Sequence, residues 1–316
     1  MQSRPETAMA HPDACFDAGW LALRAAADRA ARAPRLEALA AAWLRGRQQR
    51  NPQAPLRLLD LGCGSGANPQ HLAPRLPGPQ QWMLVDHDAG LLERARILCA
   101  DLRDAEGARL QIDTRCQDLG ALTASSLANA DLVCASALLD LMSTDWLGHL
   151  ADACARNGCA LLITLSVDGT WRFLPQVAEV PADPDDGFVR DAFNAHQRRD
   201  KGLGAALGAA AAPALAELLV ARGFEVERAA SPWRLDLADP SQATLARALI
   251  DGWRDAATAQ CPQAAARIAT WHARRSAQCE GLAKALLEVG HLDLFARPPV
   301  ARPATLGPDA PSSLVR

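Results

Sequence analysis

The chain has 316 residues, enough for one α/β domain with insertions and a sizeable buried core. Its 33 basic and 36 acidic residues leave a net charge of −3, without the broad basic surplus of a chain that grips long nucleic acid. No apolar run is long enough to span a bilayer, and residues 1–11 lack the basic start and apolar core of a signal peptide, so a cytoplasmic protein free of the membrane is expected.

Two helices open the chain. Phe16, Trp20, Leu23 and Ala27 form one helical stripe, and Leu36, Leu39, Ala40, Trp43 and Leu44 form another. Pro34 separates them, and Asn51-Pro52 ends the second. From Leu56 the pattern changes to short apolar runs alternating with helical stretches. Strands are predicted at 56–61, 82–86, 109–114, 131–135 and 159–166, with a helix over 90–102 burying Leu91, Leu92, Ala95, Leu98 and Cys99. Such β-α repetition reads as a parallel, doubly wound sheet with helices on both faces.

After Ser166 an irregular stretch at 181–187 precedes a helix over 188–201, a Gly/Ala-rich turn and a helix over 213–222. A sixth strand is expected at 224–229, then two inserted helices at about 242–257 and 262–289, then a closing strand at 291–296. The tail from Arg297 is Pro-rich and aperiodic and reads as disordered. The expected fold class is therefore α/β, a doubly wound, mostly parallel, seven-stranded sheet with N-terminal helices and a helical insertion before the last strand. Residues 1–50 would form a helical cap, 51–296 the main domain with its insertion at about 240–289, and 297–316 the tail.

Nine cysteines, at positions 15, 63, 99, 116, 134, 154, 159, 261 and 279, include no CxxC pair, which argues against a disulfide framework and a zinc knuckle. No metal site is expected. Tyrosine is absent and tryptophan occurs eight times.

The strongest chemical signal is Asp60-Leu61-Gly62-Cys63-Gly64-Ser65-Gly66, which follows an apolar strand and precedes a helix opened by Asn68-Pro69. Glycines at 62, 64 and 66 let backbone approach a ligand where a Cβ would collide. Asp86, twenty residues beyond Gly66 at the end of the second strand, can accept hydrogen bonds from both ribose hydroxyls of an adenosine. Gly62, Gly64 and Ala67 also satisfy the GxGxxA of a nicotinamide dehydrogenase. Asp60 argues the other way, because a carboxylate at that turn opposes a pyrophosphate and suits a cationic ligand.

Leu58-Leu59-Asp60-Leu61-Gly62-Cys63-Gly64-Ser65-Gly66 closely resembles the first motif of class I S-adenosylmethionine-dependent methyltransferases of the bacterial small-molecule type. Val85-Asp86-His87-Asp88 is similar to the second motif, and Cys116-Gln117-Asp118-Leu119 resembles the segment lying against the adenine. The run from Asp131 through Ser136 to Asp140 resembles the fourth. The resemblance covers about residues 56–166 in order and implies S-adenosylmethionine as cofactor. It places Asp60 and Gly62 at the methionine end, Asp86 on the ribose and Asp118 on the adenine amino group. Leu119 and His87 would flank the ring, His87 having a solvated loop position as its alternative. Gly64, Gly66 and Ser136 complete the implied cofactor set.

The acceptor is narrowed by absences. Where amino methyltransferases of nucleic-acid bases resemble one another in Asn/Asp-Pro-Pro-Tyr/Phe, this chain has Ser136-Ala137-Leu138-Leu139, and no Pro-Cys pair occurs anywhere. The expected activity is methyl transfer to an oxygen or nitrogen of a small metabolite able to carry an anionic group, with a protein or RNA acceptor left open. Candidate acceptor contacts are Asp17 and Trp20, Asp140, the loop Asp168-Gly169-Thr170-Trp171-Arg172, and the polar run Asn194 to Gly202. In that run His196 and Asp200 lie four apart on the face shared by Val189, Ala192 and Phe193. They make either an oriented general base or a structural pair stapling one helix. Arg198 and Lys201 would hold the anion. The alternatives are a catalytically silent module that binds S-adenosylmethionine, and an aminopropyltransferase using the decarboxylated donor.

Overall fold

The computed structural model describes residues 18–175, 183–199, 204–281 and 284–299. Helices α1 (Ala18–Ala31) and α2 (Pro34–Arg50) come first, joined by Arg32 and Ala33. Then follow β1 (Leu56–Leu61), α3 (Ala67–Leu72), β2 (Gln80–Asp86), α4 (Ala89–Cys99), β3 (Gln111–Cys116), β4 (Leu132–Ser136), α5 (Thr144–Asn157) and β5 (Ala160–Pro175). The second half contains α6 (Asp186–Gln197), α7 (Ala211–Val220), β6 (Glu225–Ala230), β7 (Trp233–Asp236), α8 (Pro240–Gln260), α9 (Ala265–Glu280) and β8 (Ala285–Arg297).

Strand order is β3-β2-β1-β4-β5-β8-β6, with β7 also paired to β8. The pairs among β1 to β5 are parallel, whereas β8 runs antiparallel to β5, β6 and β7. All crossover turns of the parallel half therefore meet along one edge of the sheet, where the Gly-rich turn leaves β1.

The apolar strands bury both faces. Leu59, Leu61, Val133, Ala135, Leu161 and Ile163 pack beneath α5 and α7. Their neighbours Leu58, Leu132, Cys134, Leu162 and Phe295 pack on the opposite side with Leu36, Ala40 and Leu44 of α2 and Leu92 and Ala95 of α4. The helices begin where side chains can satisfy their first N–H groups. Asp88 accepts from Gly90 and Leu91, Ser143 from Trp146, and Asp239 from Ser241 and Gln242. A third cluster forms a lobe beyond the sheet edge, with Trp171, Val189, Trp233, Trp253, Ile268, Trp271 and Leu287 at its centre.

The sheet has eight strands rather than seven. β7 is a four-residue strand beyond Ser231-Pro232, and that proline hides its continuity with β6 in the sequence. The Ser231 N–H donates to the His291 carbonyl at 2.9 Å, so the ladder on β8 runs on between β6 and β7. β5 also extends past 166, and Asp168–Arg172 is not a loop but part of that strand. Asp168 and Gly169 read as loop residues, yet they form a bulge at a shift in the β5–β8 register. The Asp168 carboxylate accepts from the Thr170 N–H and hydroxyl at 2.8 and 2.7 Å. Opposite it, β8 starts at Ala285 instead of 291, and the insertion's second helix stops at Glu280. Gly290 lies within that strand, and the position admits only glycine, since a Cβ there would stand 2.1 Å from Asp168 Oδ1.

The helix expected over 188–201 is α6, which ends at Gln197; Arg198 has already left helical geometry, with ψ near 3°. Asp200 and Lys201, and with them the expected pairing of His196 with Asp200, lie outside the described residues. Asp17 and the tail from 300 lie outside them as well.

Candidate active site

β1 delivers Asp60 to the sheet edge, and the turn Gly62–Gly66 climbs from it into α3. Gly62, Gly64 and Gly66 all have positive φ. At two of them the space is closed too. A Cβ on Gly62 would lie 2.9 Å from Leu138 Cδ1, and one on Gly66 2.8 Å from Cys99 Sγ of α4.

Asp86, buried at the end of β2, holds this turn in place. Its Oδ2 accepts from the Gly64 N–H at 2.8 Å, and its Oδ1 from the Asp88 N–H at 3.0 Å. A carboxylate offers about four acceptor positions, so both oxygens keep capacity for hydroxyl donors. His87 is exposed, with Nδ1 3.3 Å from Asp86 Oδ1. The Gln117 N–H donates to the Asp86 carbonyl at 2.9 Å, which brings the end of β3 alongside. There the exposed Asp118 caps the short turn Leu119–Ala121 by accepting from the Gly120 N–H at 2.7 Å. Leu119 is buried, and its carbonyl accepts from Trp146 Nε1 at 2.8 Å. Asp86, His87, Asp118 and Leu119 thus share one stretch of the edge. An open cleft of about 650 Å³ beside Asp118 is bounded by Ser143, Trp146 and His149.

The other end of the edge lies under α1. Leu21 Cδ1 stands 3.3 Å from where a Gly64 Cβ would be, so this helix covers the turn. Asp60 is fully buried: Asn68 Nδ2 donates to its Oδ1 at 2.6 Å, and its Oδ2 has no partner. Burial, only partly offset by Asn68 and by the positive field of Arg32, pushes the Asp60 carboxyl up to about 7. Ser136, half-buried at the end of β4, faces Arg32, whose Nη2 is 3.4 Å from the Ser136 hydroxyl.

The strand β1, the glycine turn, the Asp86 carboxylate and the Leu119 turn stand along one edge. Residues 58–158, about a third of the chain, match the family described as a methyltransferase domain. Over that segment the chain is similar to a methyltransferase domain. No curated protein matches the sequence. Among solved structures, the cyclopropane synthase MmaA2 from Mycobacterium tuberculosis is 12% identical with a TM-score of 0.42, over 83% of this chain and 82% of that one. The cyclase SpnF is 18% identical with a TM-score of 0.35, over 84% and 82%. An S-adenosylmethionine-dependent methyltransferase from Clostridium acetobutylicum is 18% identical with a TM-score of 0.29, over 40% and 50%.

Of the remaining residues singled out in the sequence, Asp140 lies within the matched segment 58–158 and the others outside it. Trp20 is half-buried and packs against the lobe. Trp171, 3% exposed, stacks on Trp253 with ring centres 4.4 Å apart and planes at 7°, as part of the lobe's core. Asn194 Nδ2 donates to the Gly169 carbonyl at 2.8 Å and so fastens α6 to the bulge in β5. His196 is half-buried in the last turn of α6, Arg198 is exposed just beyond it, and Asp140 is half-buried in the turn Leu139–Leu141.

Three polar residues escaped the sequence reading: Arg32, His291 and Asp293. The last two alternate along an apolar strand and face the same side as Phe295, so two inward positions are polar, and that was the available signal. Asp293 is buried and accepts from the Ala33 N–H at 2.9 Å, the Leu165 N–H at 2.7 Å and the Ser231 hydroxyl at 2.6 Å. It thereby joins the α1–α2 link, the left-handed residue Leu165 (φ 56°) and the β6–β7 corner. His291 Nδ1 lies 3.0 Å from the Val289 carbonyl, and its ring is 4.8 Å from that of Trp233. Burial holds its pKa down to about 4, so it is a neutral imidazole donating through Nδ1.

A second grouping, Ser276, His272 and Asp251 on α8 and α9, has the composition of a nucleophilic triad. Its geometry is wrong, because Asp251 Oδ1 and the Ser276 hydroxyl both face the same nitrogen, Nε2, at 2.5 and 3.3 Å.

Proposed function

We propose that the chain binds S-adenosylmethionine along the edge from Asp60 to Asp118 and transfers its methyl group to an oxygen or nitrogen of a small metabolite. The observation that supports this reading is the buried Asp60, whose Oδ2 has no hydrogen-bond partner, at the start of the glycine turn. A dinucleotide would bring pyrophosphate to that place, where a second buried anion is unfavourable. A ligand carrying a cation suits it. Asp86, already set by Gly64 and Asp88, would take the ribose hydroxyls, and the Leu119 turn would sit against the adenine.

The donor supplies the methyl group on a cationic sulfur, and its transfer disperses charge. The protein's share is to orient the two reactants and keep water out. The lobe built on β5 and β8, with α6, α8 and α9, stands beside the end of β4 and would form the acceptor side. A hydroxyl or ammonium acceptor needs a base. His196 is one candidate, with Arg198 beside it for an anionic group. His291 is the other, because its Nδ1 is committed to Val289 and its Nε2 lone pair faces away from that bond.

Calorimetric titration tests the donor assignment. Asp86→Ala removes a charged acceptor worth about 1.5–3 kcal/mol, so affinity for S-adenosylmethionine should fall roughly tenfold to a hundredfold. Unchanged affinity in the folded variant, or tight NADH binding by the native chain, would refute it. Labelled donor incubated with a metabolite extract then separates a catalyst from a silent binder.

A further inference from the structure

Two buried groups of opposite charge lie at the same end of the site, and both have atoms left over. Asp60 Oδ2 is without a partner, and so are Arg32 Nε and Nη1. Arg32 is 5% exposed, and among the described residues its guanidinium makes one long approach, Nη2 to the Ser136 hydroxyl at 3.4 Å, too weak to satisfy it. Its ionised form is disfavoured by burial and sustained by the fields of Asp28, Asp293, Glu37 and Asp60.

None of those acids is committed to Arg32. Asp28 is paired with Arg24 at 2.8 Å, and Glu37 with His71 at 2.6 Å. Asp293 accepts from Ala33, Leu165 and Ser231. Asp60 accepts from Asn68. Burying an unpaired cation is costly unless a partner arrives to complete it. An acid and a base, each incomplete and each within the other's field, complement a ligand that carries both charges on one carbon.

We propose that Arg32 is a carboxylate anchor of the donor site, so that Arg32 and Asp60 together read the zwitterionic amino-acid end of the donor. Arg32 takes the α-carboxylate through Nε and Nη1, and Asp60 takes the α-ammonium through Oδ2. This rests on the donor assignment made above and extends it to a choice between donors. Decarboxylated S-adenosylmethionine keeps the ammonium and the sulfonium but leaves Arg32 unpaired, so the site rejects it and aminopropyl transfer with it. Arg32 owes its place to the short α1–α2 link, which the Ala33 N–H fixes to Asp293.

The test is calorimetric titration of the full chain and its Arg32→Met and Arg32→Lys variants with three probes. S-adenosylhomocysteine carries both charges, decarboxylated S-adenosylmethionine lacks the carboxylate, and methylthioadenosine lacks both groups. Arg32→Met should weaken S-adenosylhomocysteine roughly tenfold to a hundredfold and leave methylthioadenosine unchanged. It should also shrink the native gap between S-adenosylmethionine and its decarboxylated form, with Arg32→Lys intermediate. Equal losses for all three probes would make Arg32 structural and overturn the proposal. So would unchanged S-adenosylhomocysteine affinity, which would leave the arginine to an acceptor's carboxylate. Failure of the native chain to bind any probe would instead refute the donor assignment itself.

Discussion

Asp60 and His291 are both displaced by burial, and their pH signatures oppose each other. The Asp60 carboxyl is raised from 3.8 to about 7, so the folded chain holds that proton more tightly than the unfolded one. Its contribution to stability is complete below about pH 4 and is lost as pH rises through about 7. His291 is lowered from 6.5 to about 4; its contribution is present above about 6.5 and is lost as pH falls toward 4. Asp293, also raised by burial, adds to the Asp60 slope. Native melting curves thus understate each group. Asp60→Asn should become more stable relative to the native chain as pH rises from about 5 to about 8. A donor ammonium beside Asp60 favours its carboxylate, so binding S-adenosylhomocysteine near pH 6 should release a proton. Titration in two buffers of different ionisation heat reads that release, and a buffer-independent enthalpy would contradict it. The sequence revealed Asp60 because it ends an apolar strand before three glycines. Arg32 gave no such sign, since an arginine in an alanine-rich helical stretch reads as a solvated one until the fold encloses it.

At the level of elements, helices and parallel strands were legible wherever one period ran uninterrupted. What misled was punctuation with a tertiary purpose: Asp168–Arg172 reads as a loop, the sixth strand as ending before Pro232, and the closing strand as beginning after Gly290. Each lies within or beside a continuous ladder because a facing strand supplies its partner. The start of α6 had the reverse problem. Its acidic run reads as an irregular stretch, but Arg274 pairs with Asp183 and Asp185, Arg267 with Asp185, and Arg275 with Asp186. These bonds clamp α6 to α9. Asp186 also accepts from Trp271 Nε1 at 2.8 Å, and Trp271 and Arg275 are 0% and 4% exposed. Removing that acceptor strands a buried cation and a buried indole donor, at a cost of about 3–5 kcal/mol. Asp186→Ala should therefore lower the denaturation midpoint sharply while S-adenosylhomocysteine affinity in the folded protein is retained. A variant as stable as the native chain would show that the clamp is ornamental.

In the whole molecule the two sides of the site are held differently. The lobe grows out of β5 and β8, strands that also run through the centre of the sheet, so it cannot swing as a separate body. α1 is held more lightly, since none of its residues is fully buried, whereas α2 buries five. The way in for a donor should therefore be past α1. Hydrogen exchange should find α1 amides the fastest among the helices flanking the site, slowed by S-adenosylhomocysteine, with α2 protected in both states. Equal protection of α1 and α2 without ligand would place the entrance elsewhere.

The distribution of indoles gives the molecule an unusual optical character. With no tyrosine in the chain, near-ultraviolet absorption and emission belong almost wholly to its eight tryptophans. Trp171, Trp233, Trp253 and Trp271 lie in the lobe's core and Trp20 packs against it, while Trp82 and Trp43 belong to one face of the sheet. Trp146 donates from its indole to the Leu119 carbonyl, in the turn beside Asp118. Fluorescence of this chain is accordingly chiefly a report on the lobe, with Trp146 the indole bonded to the Leu119 turn, whereas circular dichroism in the amide region is a report on the helices of both halves.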